Sequence, residues 1–239
     1  MDGLKMEVKF KDLLFIYEHQ ISKNVKNKKK LLNFERNKFQ NLINIYYELK
    51  NNNYRVEHYN IFLIREPKKR IVMSLSIHDK IINHYVTEFI LKPKLEKYLD
   101  HRNIATRKNM GSDYGIKLVK KYLEQLKKYD QVYVLKIDIS KYFYHIDHEV
   151  LKRMIKNELT ISEYKIINSI IDSTNEYYVY RTILKYQGKD FSLPNYEFGK
   201  GLPIGNLTSQ FLSIFYLNKL DYYIIHNLHL KYYVRYMDD

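Results

Sequence analysis

Two short runs of aromatic and β-branched residues, each ending in aspartate, constrain this chain more than any other feature. Tyr133-Val134-Leu135-Lys136-Ile137-Asp138 is followed closely by Tyr142-Phe143-Tyr144, and Tyr232-Tyr233-Val234-Arg235-Tyr236-Met237-Asp238-Asp239 delivers two adjacent carboxylates. Such residues suit a pleated, half-buried surface, so the expectation is two strands that each carry Asp at one end. A lone acidic residue there is ordinarily a turn residue. Two adjacent carboxylates repel one another at the end of an apolar strand, and a cation relieves that cost. In-line transfer of a phosphoryl or nucleotidyl group uses two cations about 4 Å apart. Mg²⁺ fits such a site, because it binds hard oxygens and keeps several of its waters.

Charge narrows the partners. Lys and Arg number 41 against 27 Asp and Glu in 239 residues, a net charge of +14, which favours a polyanion such as nucleic acid or an anionic membrane face. No apolar run approaches the length of a bilayer span, and the N-terminus lacks the apolar core of a signal peptide, so nucleic acid leads and no membrane is expected. Cysteine is absent, which excludes disulfides, thiolate zinc sites and a cysteine nucleophile and fits an intracellular chain. His145 and His148 can share a helical face, but a surface or capping role outweighs metal binding without further ligands.

Only four prolines and seven glycines are spread over the chain, and no linker or repeat divides it. Leu13, Leu14, Ile16 and Tyr17, then Leu42, Ile43, Ile45, Tyr46 and Leu49, recur at helical spacing, with a lysine-rich run at 23–30 between them. Ile61-Phe62-Leu63-Ile64 and Ile71-Val72-Met73 read as a hairpin with the basic tip 65–70, a shape suited to gripping a triphosphate or simply an ordinary protected end. Ile77, Ile81, Tyr85 and Phe89 mark a helix that Pro93 closes shortly after its end. Ser112 or Asp113 is expected to cap a helix with the stripe Ile116, Val119, Leu123 and Leu126, and Asp147 to cap one carrying Val150, Leu151, Met154 and Ile155. Tyr178-Val179-Tyr180 and Thr182-Ile183-Leu184 read as strands of a hairpin within 176–198. The glycine concentration Gly199-Lys200-Gly201-Leu202-Pro203-Ile204-Gly205 lets backbone approach a nucleotide closely, and 206–226 reads as a buried helix. The fold class expected is α+β, an antiparallel sheet backed by helices.

Three blocks together resemble bacterial reverse transcriptases, from about Leu31 to the last residue. Asp138-Ile139-Ser140-Lys141-Tyr142-Phe143 is similar to the first catalytic block, Gly201-Leu202-Pro203-Ile204-Gly205-Asn206-Leu207-Thr208-Ser209-Gln210 to the second, and Tyr236-Met237-Asp238-Asp239 to the Tyr-x-Asp-Asp box. The resemblance implies a right-hand fold, with N-terminal helices and fingers over 1–104 and an incomplete palm over 105–239. Asp138, Asp238 and Asp239 would be catalytic; Asp138 and Asp238 would bind both Mg²⁺ ions, with Mn²⁺ as substitute, assisted by the Ile139 carbonyl and by Asp239 as the second box carboxylate. Arg65, Lys69 and Arg70 would hold the incoming triphosphate. Phe143 would exclude a ribose 2′-OH by steric clash; its alternative, core packing, is disfavoured because Tyr142 beside it cannot face inward as well. Ile204 and Gly205 would lie at the nucleotide, and Gly201, Pro203, Ser209 and Gln210 near template and primer. The implied partners are an RNA template, a DNA or RNA primer and deoxynucleotides, with an accessory protein left open, in the bacterial cytoplasm.

Two departures qualify this picture. Most of the wider family carries Gln and Pro where this chain has Ile204 and Gln210, a form similar to the enzymes of diversity-generating retroelements and some related bacterial lineages. Loss of a polar amide at 204 is expected to loosen base selection. The return strand after the box, the later palm blocks and a helical thumb are absent, so the expectation is a fragment with little polymerase activity by itself. The rival expectations are an RNA-binding fragment without chemistry and a template-independent nucleotidyltransferase of a defence-type relative.

Overall fold

Helical spacing governs the N-terminal part of the chain. In the computed structural model, which describes residues 6–190 and 192–239, α1 (Phe10–Ile16) continues as a π-helical turn, Tyr17–Ile21, and Leu13, Ile16 and Tyr17 are buried. Helix α2 (Lys28–Arg36) starts where the Asn27 side chain accepts the Lys30 amide. Helix α3 (Lys38–Lys50) buries Leu42, Ile45 and Leu49 on one face. The lysines at 23, 26, 28, 29 and 30 are exposed.

The hairpin forms as expected. Strands β1 (Asn60–Ile64) and β2 (Arg70–Ser74) pair antiparallel with Phe62 opposite Val72, and β2 alternates, burying Ile71 and Met73. Helix α4 (Ile77–Tyr85) is capped by Ser76, which accepts the Asp79 amide. Pro93 does not close it. The helical path runs on through a π-helical segment, Val86–Leu91, into α5 (Lys92–Leu95), whose first turn holds Pro93.

Helix α6 (Ser112–Leu126) corrects a second expectation. Gly111 precedes it with φ 112°, and neither Ser112 nor Asp113 caps it; both lie in its first turn. Its stripe is uncovered, with Ile116 54 % and Leu123 48 % exposed. Residues 133–138, expected as a strand, have no ladder among the described residues, and Tyr133 is 90 % exposed. A strand exists through its neighbours' hydrogen bonds, and none are paired here. Residues 232–237 likewise make a single isolated parallel bridge, Arg235 with Asn103. The broad sheet is therefore corrected to a mixed, helix-rich architecture with, among the described residues, one two-stranded antiparallel sheet.

Beyond Asp138 come α7 (Tyr142–His145), α8 (His148–Ile155), α9 (Ile161–Ile171) and α10 (Tyr177–Gln187). Asp147 caps α8 by accepting the Val150 amide at 2.9 Å, as expected. The hairpin expected within 176–198 is corrected: its two apparent strands lie inside α10, and residue 191 lies outside the described residues. Val179 and Ile183 stand one helical turn apart and pack on Tyr59, Ile71, Met73 and Leu75, so i,i+4 burial against the hairpin overrides β-branched propensity. Helix α11 (Leu207–Tyr216) is buried, but the chain breaks at Leu217 into α12 (Asn218–Tyr222) and a π-helical turn, Tyr223–Asn227. Leu220, Tyr222 and Tyr223 are exposed, so the expected buried helix is halved. The main core joins Leu13, Leu42, Ile81, Leu151, Ile167 and Phe211. No helix among the described residues is long and apolar enough to cross a membrane.

Candidate active site

The two aspartate blocks meet through the main chain. The Ile139 amide donates to the Asp238 carbonyl at 3.3 Å. The box is a tight turn, in which the Tyr236 amide donates to the Asp239 carbonyl at 2.9 Å, the Asp239 amide returns to Tyr236 at 3.1 Å, and Met237 takes φ 58°. After Asp138, Lys141 adopts φ 55° and starts α7, whose Tyr142 is buried and donates its hydroxyl to the Ser213 carbonyl at 2.6 Å.

The glycine block docks on the same element. Gly201 donates its amide to the Ile146 carbonyl at 2.8 Å and Leu202 to the Phe143 carbonyl at 2.9 Å. Gly201 has φ 85°, and a Cβ there would sit 3.2 Å from the Tyr144 carbonyl oxygen, so the close approach requires glycine. Buried His148 contacts the Gly201 carbonyl through Nε2 at 2.8 Å. The hairpin completes the wall: the Met73 amide donates to the Ile204 carbonyl at 3.1 Å, and the Ile71 amide to the Tyr144 hydroxyl at 3.1 Å. A Cβ on Gly205, φ 111°, would meet Val72 Cγ1 at 3.2 Å.

The three basic hairpin residues part company. Arg70 acts electrostatically on Asp238. Lys69 instead pairs with Asp190 at 2.6 Å and bonds Ser192, and Arg65 is exposed at the tip. The expectation that Tyr142 and Phe143 cannot both face inward is corrected: Tyr142 is buried in the main core, and Phe143, half-buried, packs against the same core edge-on to it, centroids 5.9 Å apart. Gly201, Pro203 and Ser209 are buried, whereas Gly205 is exposed and Gln210 half-buried.

Charge is crowded at the box. Burial raises the Asp238 carboxyl above the usual carboxylate range, the charges of Asp138 and Asp239 push it the same way, and its own backbone and Arg70 oppose them. Lys136 reaches Asp239 Oδ1 at 3.3 Å. This donor set fits a hard divalent cation: all carboxylate, mutually repelling, and open on the Asp138 and Asp239 side. The three carboxylates are spaced more widely than direct shared ligation of one ion needs. Among the described residues, the group of three whose ligand atoms lie within 4.8 Å of one another is elsewhere, at Glu57, His78 and Asp79.

Sequence reasoning missed the supports. Arg235 is 3 % and Asp221 1 % exposed, and they form a two-point ion pair, Nε to Oδ1 at 2.7 Å and a terminal nitrogen to Oδ2 at 2.6 Å. The available signal was an acidic residue within the largely apolar 206–226 stretch and an arginine inside a strand-like run.

No curated protein matches the chain. The sequence model described as reverse transcriptase (RNA-dependent DNA polymerase) matches residues 50–239, and the chain belongs to that family.

Proposed function

We propose that this protein performs RNA-templated DNA synthesis, in which a primer 3′-OH attacks the α-phosphate of a deoxynucleotide and pyrophosphate leaves. The observation that carries the reading is the Ile139–Asp238 main-chain bond, which brings the first block beside the Tyr-x-Asp-Asp turn. Two bound Mg²⁺ ions would activate the attacking oxygen and hold the leaving group. Asp138 and Asp238 would hold the ions, the Ile139 carbonyl would assist, and Asp239 would serve as the second box carboxylate. Arg70 meets the triphosphate, Phe143 stands against the sugar, and Ile204 and Gly205 line the nucleotide. Alignment and charge stabilisation supply the rate, as in phosphoryl transfer generally.

The finer reading places helices and fingers at 1–104 and palm at 105–239, in a bacterial, cytoplasmic enzyme allied to diversity-generating retroelements by its Ile-Gly-x-x-x-Ser-Gln block. The +14 charge supports RNA and primer as partners.

The test is extension of a DNA primer on an RNA template with Mg²⁺, by the protein and by Asp138→Asn. Loss of extension in the variant supports the reading. Equal extension in both refutes the metal assignment, product formed without template shifts the reaction to template-independent addition, and salt-sensitive RNA binding with no Mg²⁺-dependent product refutes catalysis.

A further inference from the structure

The buried Arg235–Asp221 pair does more than fill space. Each of the three Arg235 side-chain nitrogens donates to an acceptor: to the two Asp221 oxygens, to the Ile214 carbonyl at 2.8 Å and to the Met237 carbonyl. Its main chain is pinned too, with its amide on the Arg102 carbonyl at 2.9 Å and its carbonyl on the Ile104 amide at 3.0 Å. Asp221 in turn accepts the Tyr233 hydroxyl at 2.6 Å.

A buried ion pair is a costly way to gain stability, since an apolar pair of similar volume often serves as well or better. What an apolar pair cannot do is hold a carbonyl. Arg235 holds that of Met237, the residue with φ 58° that turns the chain into Asp238. Meanwhile Ser213 and Ile214, adjacent carbonyls in the last turn of α11, accept Tyr142 and Arg235 respectively. Carbonyls of a final helical turn lack helical partners and attract cations and donors. Tyr142 lies four residues after Asp138, and Arg235 three before Asp238. One helix end therefore carries both aspartate blocks.

We infer that Arg235, locked by Asp221, is a positioning residue: it fixes the Met237 turn and thereby sets Asp238 against Asp138 for cation binding. This rests on the proposed metal-dependent reading. Lysine keeps the charge but lacks the planar fork that reaches a carboxylate and a carbonyl together.

The test compares the full chain with Arg235→Lys and with the paired replacement Arg235→Met/Asp221→Leu, which leaves no charge stranded. Mn²⁺ affinity is read by electron paramagnetic resonance, exchange of the Tyr236 and Asp239 amides by NMR, and folding by thermal melting. The expected result is a folded variant with at least tenfold weaker Mn²⁺ binding and at least tenfold faster exchange of those two amides. A folded variant unchanged in both overturns the inference. If Asp138→Asn leaves Mn²⁺ binding intact, the metal reading is what fails, and amide exchange alone decides the role of Arg235. If neither variant folds, the native chain decides: protected Tyr236 and Asp239 amides support a fixed turn, and freely exchanging ones overturn it.

Discussion

The Ile139 amide and the Asp238 carbonyl, 3.3 Å apart, join the two aspartate blocks without using any carboxylate. The side chains are therefore separable from the scaffold that presents them. Asp138 is exposed, so Asp138→Asn should melt within about 0.5 kcal/mol of the parent while losing Mn²⁺ binding and primer extension. Differential scanning calorimetry alongside the extension assay checks both halves.

The hairpin lysine and arginine should behave differently. Lys69 is engaged by Asp190 and Ser192, whereas Arg70 is exposed and its charge weakly offsets the upward shift of the Asp238 carboxyl. Loss of a charge-assisted contact to a triphosphate weakens binding by roughly 1.5–3 kcal/mol, so Arg70→Ala should raise the KM for deoxynucleotide by about tenfold or more. Lys69→Ala should change it less than about twofold. Steady-state kinetics at saturating primer-template distinguishes the two, and equal effects would contradict the assignment.

Gly201→Ala should destabilise the chain. The left-handed backbone alone costs about 1–2 kcal/mol for a residue with a Cβ, and contacts at 3.2 Å to the Tyr144 carbonyl oxygen and 3.4 Å to that of Phe143 add to it. Gly199→Ala shares a positive φ, 75°, but meets nothing within 4 Å. Urea denaturation should therefore rank Gly201→Ala as the more damaging of the two.

Stability should fall as pH rises past neutrality. Burial pulls the His78 imidazole down, but the Asp79 and Glu48 carboxylates outweigh it and hold the group up to about 9. Because the folded value lies above the unfolded one, near 6.5, the contribution is complete below about pH 6.5 and disappears as pH passes through about 9. Glu57 stands in the same cluster. Urea midpoints between pH 6 and 10 should decline more steeply in the native chain than in His78→Gln, and parallel profiles would contradict the ion-pair account.

Under the proposed function, Ile204→Gln would restore an amide at the nucleotide. Its carbonyl bond to Met73 is made by the backbone, so the substitution should leave the loop in place. Sequencing of extension products should show fewer misincorporations, and an unchanged error spectrum would count against a role for Ile204 in base selection.

Local signals proved legible where burial and period agreed. The Asp147 cap, the two hairpin strands and the helical face of Leu42, Ile45 and Leu49 could all be read from spacing. Tyr177–Gln187 could not, because its aromatic and β-branched content imitates strands, while the partner that makes it helical is the hairpin more than a hundred residues earlier. Residues 133–138 failed in the opposite direction: the propensity is there, but no described neighbour pairs with it. At the site, the aspartates and the glycine loop were visible as motifs. Asp221 was hidden because an acid in an apolar stretch declares its partner only when the chain is folded.

The inner edge of β2 carries one last implication. With Ile71 and Met73 committed to Tyr144 and Ile204, the strand cannot slip by one residue without turning its two core side chains outward. Length variation is therefore tolerable between Ile64 and Arg70 and ruinous just after it. Among relatives of this chain, insertions and deletions should crowd into the tip and spare 71–74, so that the reach of the hairpin can drift while its seat beside the aspartates stays put.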